Sequence, residues 1–598
     1  MKKILCLLFC FAIFSTTYSQ TDKRLKGLDK DLNAILEATK AAGFSVAVVD
    51  GNQVIYAKGF GYGDYENKVP ADANTLFAIG SSTKAFTSAL LGQLRAEDKL
   101  SFEDSPLKYI PELKFNNDNL NNNVIIKDLM RHSTGLPRHD LSWYLFPSAD
   151  KDSLIQRIAH QEPFTGLRTQ WHYNNFMFLA QGVIAEKITG QSWEANIKNR
   201  FFEPLGMSRS QTELSELLRM DNAAFGYELK NNNISKMDYY NISGMSPAGS
   251  IYSSANDVAK WLQLWINKGK FNGKEILPET YVTEAMSSQM VMPGGLPEDK
   301  LPDMHFANYG YGWIISSYRG HYRVEHGGNI NGFSASVAFY PSDRLGIVVL
   351  TNQNASALPG IVRNTIADRL FEGKRTDWTK RFIEAKQNAK KMEDELKLEE
   401  TASTQVKNTK PSHIKQDYTG TYENEGYGKL AVTLENDSLF ANFKRVKMFL
   451  KHYHYDVFKP YEVTNKSIDT TEANPMHFNF ATGDGGDIVK MTMKAEAALE
   501  PIAFKRTPNS IEVKASDLEE YVGDYSLMGA TIKIYIKNDS VLYLFVPGQP
   551  EYELMPTEKH KFTFKAADGF KVEFLESEDG IKEMNLIQPN GTFKAQKD

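Results

Sequence analysis

Cysteine is almost missing from this chain. The two present in 598 residues, Cys6 and Cys10, both fall within the first ten positions. The body of the protein therefore offers no disulfide framework, no cysteine nucleophile and no thiolate metal site. No His-Glu-x-x-His zinc pattern occurs either, and His132, His139 and Asp140 are separated by Pro137, which reads as loop rather than as a ligand set. A large charge excess is also lacking: 69 basic against 74 acidic residues leave a formal net charge of −5. That balance gives no general attraction for polyphosphate and argues against a nucleic-acid binder held by counterion release. The apolar run Ile4 to Phe14 is too short to span a bilayer comfortably. With Lys2 and Lys3 ahead of it and small or polar residues from Ser15 to Ser19 behind, residues 1–19 have the anatomy of a secretory signal peptide and place the mature protein in the periplasm or outside the cell. The bulky Phe9 before Cys10 disfavours a lipoprotein.

What remains is the composition of a folded, multidomain body. A hydrophobic share of 41%, a charged share of 24% and an aromatic share of 12% match globular rather than disordered chains, and about 150 residues per domain predicts two to four domains. From 22 to 373 helices and strands mix. A strand over Phe44–Val49 and another over Val54–Phe60 flank Asp50-Gly51-Asn52-Gln53, a tight hairpin. Ser334–Tyr340 and Leu345–Leu350 form a second pair late in the region. Early and late strands are thus expected in one antiparallel sheet with a helical subdomain beside it, an α/β sandwich closed by its two ends. Residues 374–412 read as a charged helix followed by a polar linker. Beyond them the texture is strand-rich and repeats itself: Tyr418-Thr419-Gly420-Thr421-Tyr422 returns as Tyr521-Val522-Gly523-Asp524-Tyr525, Asn436-Asp437-Ser438-Leu439 as Asn538-Asp539-Ser540-Val541, and Ala503-Phe504-Lys505 as Thr592-Phe593-Lys594. Two small all-β barrel-like modules follow, over 413–507 and 508–598, in which the repeated Tyr and Gly build core corners.

Three short patterns could carry chemistry. In the first, Ser81-Ser82-Thr83-Lys84 follows a strand-like lead-in and Gly80 and opens a long apolar helix. The Ser81 hydroxyl and the Lys84 amine then share one helical face, beside N-terminal amides able to stabilise developing negative charge. Ser-x-x-Lys also occurs at Ser105, Ser148 and Ser412, so context selects this copy. In the second, Tyr173-Asn174-Asn175 precedes an apolar helix: a phenol with its pKa lowered by Lys84 could relay protons, and the Asn175 amide could align a substrate carbonyl or amide. In the third, His326-Gly327-Gly328-Asn329 leads into the late strand pair. Its glycines leave room for a substrate backbone along the strand, and His326 could donate a hydrogen bond or adjust proton affinity in the pocket.

In order and spacing these patterns resemble the serine-reactive penicillin-recognising superfamily, especially class C β-lactamases, related esterases and D-aminopeptidases. Further landmarks are Leu129–Pro137, Pro204–Met207, Pro247–Ser254 and Tyr309–Trp313. The resemblance implies that Ser81 is the acylated nucleophile, Lys84 its base partner, Tyr173 the proton relay, Asn175 a substrate-orienting amide, and His326 the start of a third motif in which Gly327, Gly328 and Asn329 bind substrate. The backbone N–H groups of Ser81 and Asn329 would form the oxyanion hole. The third motif is His-Gly-Gly where many relatives carry Lys-Thr-Gly, and Ser-Asp-Asn is absent. A class A enzyme is therefore disfavoured and a fixed cation for a β-lactam carboxylate is lost. The carboxy-terminal modules resemble the lipocalin-like barrels of some D-aminopeptidases. The expectation is an exported serine hydrolase of peptidase, aminopeptidase or esterase type, needing no metal or organic cofactor and acting on a small peptide, ester or cell-wall fragment. The alternatives are a β-lactamase or D,D-peptidase, and a non-catalytic envelope protein that binds peptide or muropeptide.

Overall fold

The computed structural model describes residues 22–294, 305–373, 375–399, 405–464, 467–468, 470, 476–496, 499–537, 541–565, 567 and 569–598. The signal peptide read over residues 1–19, with both cysteines, lies outside the described residues. Among the described residues no helix is long and apolar enough to cross a membrane. The chain folds into two compact units, one drawn from residues up to Phe102 and from Ala185–Glu393, the other from Glu103–Ile184 and Asp394–Asp598.

The first unit is built on an antiparallel sheet whose central six strands run, in spatial order, Ile314–Tyr318, His321–Ile330, Phe333–Tyr340, Leu345–Thr351, Gly43–Asp50 and Gln53–Asp64. The early strand pairs with the last, from Phe44 opposite Thr351 to Asp50 opposite Leu345, so the two ends of the region close one sheet, as its sequence pattern predicts. Gly43–Val49 and Phe333–Tyr340 are buried along their whole length, which requires cover on both faces. On one face lie the helices Leu28–Thr39 and Leu358–Leu370; the first turns Leu28, Leu32, Ile35 and Thr39 inward at helical spacing, and its apolar side shares a core with Val46, Val48 and Ile347. On the other, the helix Ala255–Ile266 sets Leu262 and Ile266 against the backbone of Gly346. The result is a helix–sheet–helix sandwich.

The second unit joins the helical segment 103–184 to two closed barrels of eight strands. In the first, strands from Gly420 to Thr507 close where Thr421 pairs with Thr507 and where Lys447–His454 pairs with Val457–Thr464. In the second, strands from Gly523 to Lys597 close where Tyr525 pairs with Lys597. The internal repeat has a structural meaning: Tyr422 donates its hydroxyl to the Tyr418 carbonyl at 2.8 Å, and Tyr525 does the same to Tyr521 at 3.0 Å. All four rings are buried, so each corner of the repeat is a core latch. Both barrel interiors are filled by side chains, the first by Tyr418, Tyr422, Phe458, Phe478, Phe480 and Phe504 among others. Leu145 and Phe146 of the helical segment belong to that same core, with the Phe146 ring stacked on Phe504 at 5.7 Å. The linear division of the sequence, one body over 22–373 followed by modules, therefore differs from the division in space. Residues 103–184 pack with the barrels because they insert an aromatic plug into the first of them.

Candidate active site

In the first unit Ser81 sits on a short 3-10 turn, Gly80–Thr83, that runs into the helix Lys84–Ala96. The three-residue offset turns both functional side chains to one side, and the Lys84 ammonium nitrogen lies 3.0 Å from Ser81 Oγ. Lys84 is fully buried while Ser81 is half-buried, so the hydroxyl faces the accessible side and the amine is sealed behind it. A second bond fixes the amine: Lys84 Nζ donates to the Ala248 carbonyl at 2.7 Å. Thr87 donates to the Pro247 carbonyl and the Thr83 hydroxyl accepts from the Ile251 N–H. The Pro247–Ser254 landmark is thus the brace that holds the start of this helix. No local signal in the sequence marks Ala248 as a lysine partner, because its contribution is a backbone carbonyl.

His326 lies in the middle of the strand His321–Ile330, not at the start of a strand as the sequence suggested. The ladder to Ile314–Tyr318 ends at Ile314 opposite Glu325, so from His326 onward this strand pairs, among the described residues, only with Phe333–Tyr340, and the Ser81 turn packs against it. Ser82 Oγ donates to the His326 carbonyl at 3.0 Å. A Cβ on Gly328 would lie 1.8 Å from the Ile79 carbonyl oxygen and 3.2 Å from Ser81 N, and one on Gly80, at φ +50°, would lie 2.7 Å from Asn329 N. The space made by Gly328 is therefore occupied by the protein's own backbone rather than left to a substrate, and the crossing brings the Ser81 and Asn329 backbones together. Gly327 is exposed. The Asn329 side-chain oxygen is committed elsewhere, accepting from Ser334 Oγ and the Ala355 N–H.

The His326 ring is buried. Nδ1 is 2.6 Å from the Gly327 carbonyl and Nε2 is 3.0 Å from the Tyr309 hydroxyl. A carbonyl can only accept, so Nδ1 carries the proton and Nε2 of the neutral ring accepts from Tyr309. Burial, reinforced by the neighbouring Lys84 charge, lowers the pKa of His326 to about 4. The third motif consequently holds no cation near neutral pH. Tyr309, which donates to the other ring nitrogen, was legible only as part of the Tyr309–Trp313 landmark.

Tyr173 and Asn175 belong to the second unit, at the entry to the helix Asn175–Thr189. The half-buried Tyr173 ring lies 4.5 Å from that of His132, centroid to centroid, and the Arg138 guanidinium sits over it at 4.6 Å. His132, in a left-handed conformation at φ +58°, accepts the Asn174 N–H at Nδ1. Asn174 is buried and donates to the Pro137 carbonyl and Gln161 Oε1, so the middle residue of the motif is the one that anchors the turn. Asn175 Nδ2 donates to Asp140 Oδ1 at 2.8 Å. Asp140 was read from sequence only as part of a loop; no pattern linked it to a motif 35 residues away.

A sheet of this topology, with a serine and a buried lysine at a helix start against the free edge of one strand, defines the serine-reactive penicillin-recognising superfamily. The Beta-lactamase family model matches residues 28–370, and the chain belongs to that family. Residues 404–506, which include the first barrel, match a second family described as a domain of unknown function, DUF3471. The chain is 26% identical over 349 residues to Protein flp of Staphylococcus aureus strain N315, covering 58% of this chain and 66% of that protein. It is 25% identical over 434 residues to Unguisins hydrolase ungD of Aspergillus violaceofuscus, covering 68% and 76%. The matched part thus falls just short of two thirds of the Staphylococcus relative's length. A solved structure of the octameric penicillin-binding protein homologue from Pyrococcus abyssi shares the fold, with a TM-score of 0.53 at 22% identity over 80% of this chain and 100% of that one.

Proposed function

We propose that this protein is an exported serine hydrolase that cleaves an amide or ester through an acyl-enzyme on Ser81. The observation that carries the reading is the sealed Lys84 amine, 3.0 Å from Ser81 Oγ and held by the Ala248 carbonyl. In its neutral form that amine takes the hydroxyl proton as Oγ adds to the substrate carbonyl. The resulting oxyanion is stabilised by the Ser81 and Asn329 N–H groups. Collapse breaks the bond to the amine or alcohol, which leaves with a proton relayed through Tyr173, and water then attacks the acyl-Ser81 ester to release the acid and restore the hydroxyl. Asn175 orients the substrate. His326, with both ring nitrogens engaged, serves as a neutral wall rather than as a base.

Neutrality at His326 favours amide and ester substrates of peptidase, aminopeptidase or esterase type over β-lactams and D,D-peptides, whose carboxylates are met by a cation in relatives with lysine at this position. The relative named Unguisins hydrolase supports a hydrolase by its name alone. Labelling with a fluorophosphonate, read by intact mass, should give one adduct on the wild type and none on Ser81→Ala. A panel of a chromogenic cephalosporin, short acyl esters and D- and L-aminoacyl anilides should rank esters or anilides above the cephalosporin. Absence of any adduct on folded wild type would favour the peptide-binding alternative.

A further inference from the structure

The elements around Tyr173 and Asn175 hold a charge cluster that the acyl-transfer scheme does not use. Asp140 Oδ1 accepts from Asn175 Nδ2 at 2.8 Å and from Trp143 Nε1 at 3.1 Å, and Oδ2 accepts from Arg138 Nε at 2.6 Å. Arg138 in turn places its guanidinium over the Tyr173 ring. One carboxylate therefore reaches both residues of the motif, Asn175 directly and Tyr173 through a cation. A carboxylate only accepts, so it fixes which end of the Asn175 amide faces it: nitrogen toward Asp140, carbonyl oxygen turned away. A cation over a phenol favours the phenolate over the phenol.

The first barrel faces the same cluster. Glu496, which follows the strand Ile488–Met493, has its carboxylate Oε1 buried with no hydrogen-bond partner among the described residues. His139 is buried against the barrel's Tyr427, with Nδ1 3.3 Å from its hydroxyl.

We propose that Asp140 is a positioning residue for Tyr173 and Asn175, holding the amide directly and the phenol through Arg138. The inference rests on the proposed roles of Tyr173 and Asn175 in acyl transfer. Burial and the Asp140 charge push Glu496 up to about 7, while burial lowers His139 to about 4 and pushes the Tyr427 phenol upward.

The test uses the full chain and a short acyl p-nitrophenyl ester. Asp140→Ala should lower kcat about 10- to 100-fold with KM within about twofold, and Asp140→Asn, which keeps an acceptor but not the charge, should fall between it and wild type. Arg138→Met alters an exposed side chain and should lower kcat about tenfold, which keeps the test decisive if Asp140→Ala fails to fold. Wild-type kcat in Asp140→Asn and Arg138→Met, with Ser81→Ala inactive, overturns the positioning role and leaves the serine hydrolase standing. Wild-type turnover by Ser81→Ala overturns the underlying reading instead.

Discussion

At Gly328 the protein has no room for a single carbon atom. An alanine there would place its Cβ 1.8 Å from the Ile79 carbonyl oxygen, a backbone group that cannot rotate away. Gly328→Ala should therefore cost about 1–3 kcal/mol of stability and reduce fluorophosphonate labelling of Ser81 at least about tenfold, measured by urea melts and by intact mass. A variant labelled at the wild-type rate would show that this crossing does not position the nucleophile. The importance of this glycine is visible in the sequence as His-Gly-Gly, but the reason is not, since it lies in a contact between positions 79 and 328. Ser81 and Lys84 were more legible because helical geometry alone sets their relation. Asp140 was not: its partners are side-chain atoms on separate turns, and nothing periodic connects them.

Among elements, the strand His321–Ile330 carries the clearest electrostatic signature. His326 is held neutral, with its pKa lowered to about 4 from the ordinary 6.5. Between those values the unfolded chain binds a proton that the native ring refuses, so stability present above pH 6.5 is lost progressively as pH falls toward 4. The full difference is about 3 kcal/mol at most. Urea melts of wild type and His326→Gln should converge as the pH is lowered from 7 to 4.5, and parallel curves would mean that His326 is not the group responsible. The strands themselves were readable, from Phe44–Val49 through Leu345–Leu350, because alternation and turn residues are local. The position of His326 within its strand was misread because Tyr322 to Glu325 are mostly polar or charged. Their strand conformation comes from pairing with Ile314–Ser317 and from the Arg323–Glu325–Arg363 ion pairs.

On the scale of the whole molecule, the helical segment 103–184 depends on a domain that begins more than 200 residues later. Leu145 and Phe146 complete the core of the first barrel, so Phe146→Ala should destabilise the second unit by about 3–5 kcal/mol, seen as a lower unfolding midpoint. Ending the chain after Lys410 would expose both side chains and should yield an aggregating product. Ending it after Thr507 keeps their cover, and the shortened chain should still be labelled at Ser81; loss of labelling in a folded product of that length would assign the second barrel a role in the site. Such dependence could not be read from the sequence, where Leu145-Phe146 is an ordinary apolar pair. The same tyrosine corner thus closes two cores of different make-up, one completed by Leu145 and Phe146 and one whose described members all lie beyond residue 508.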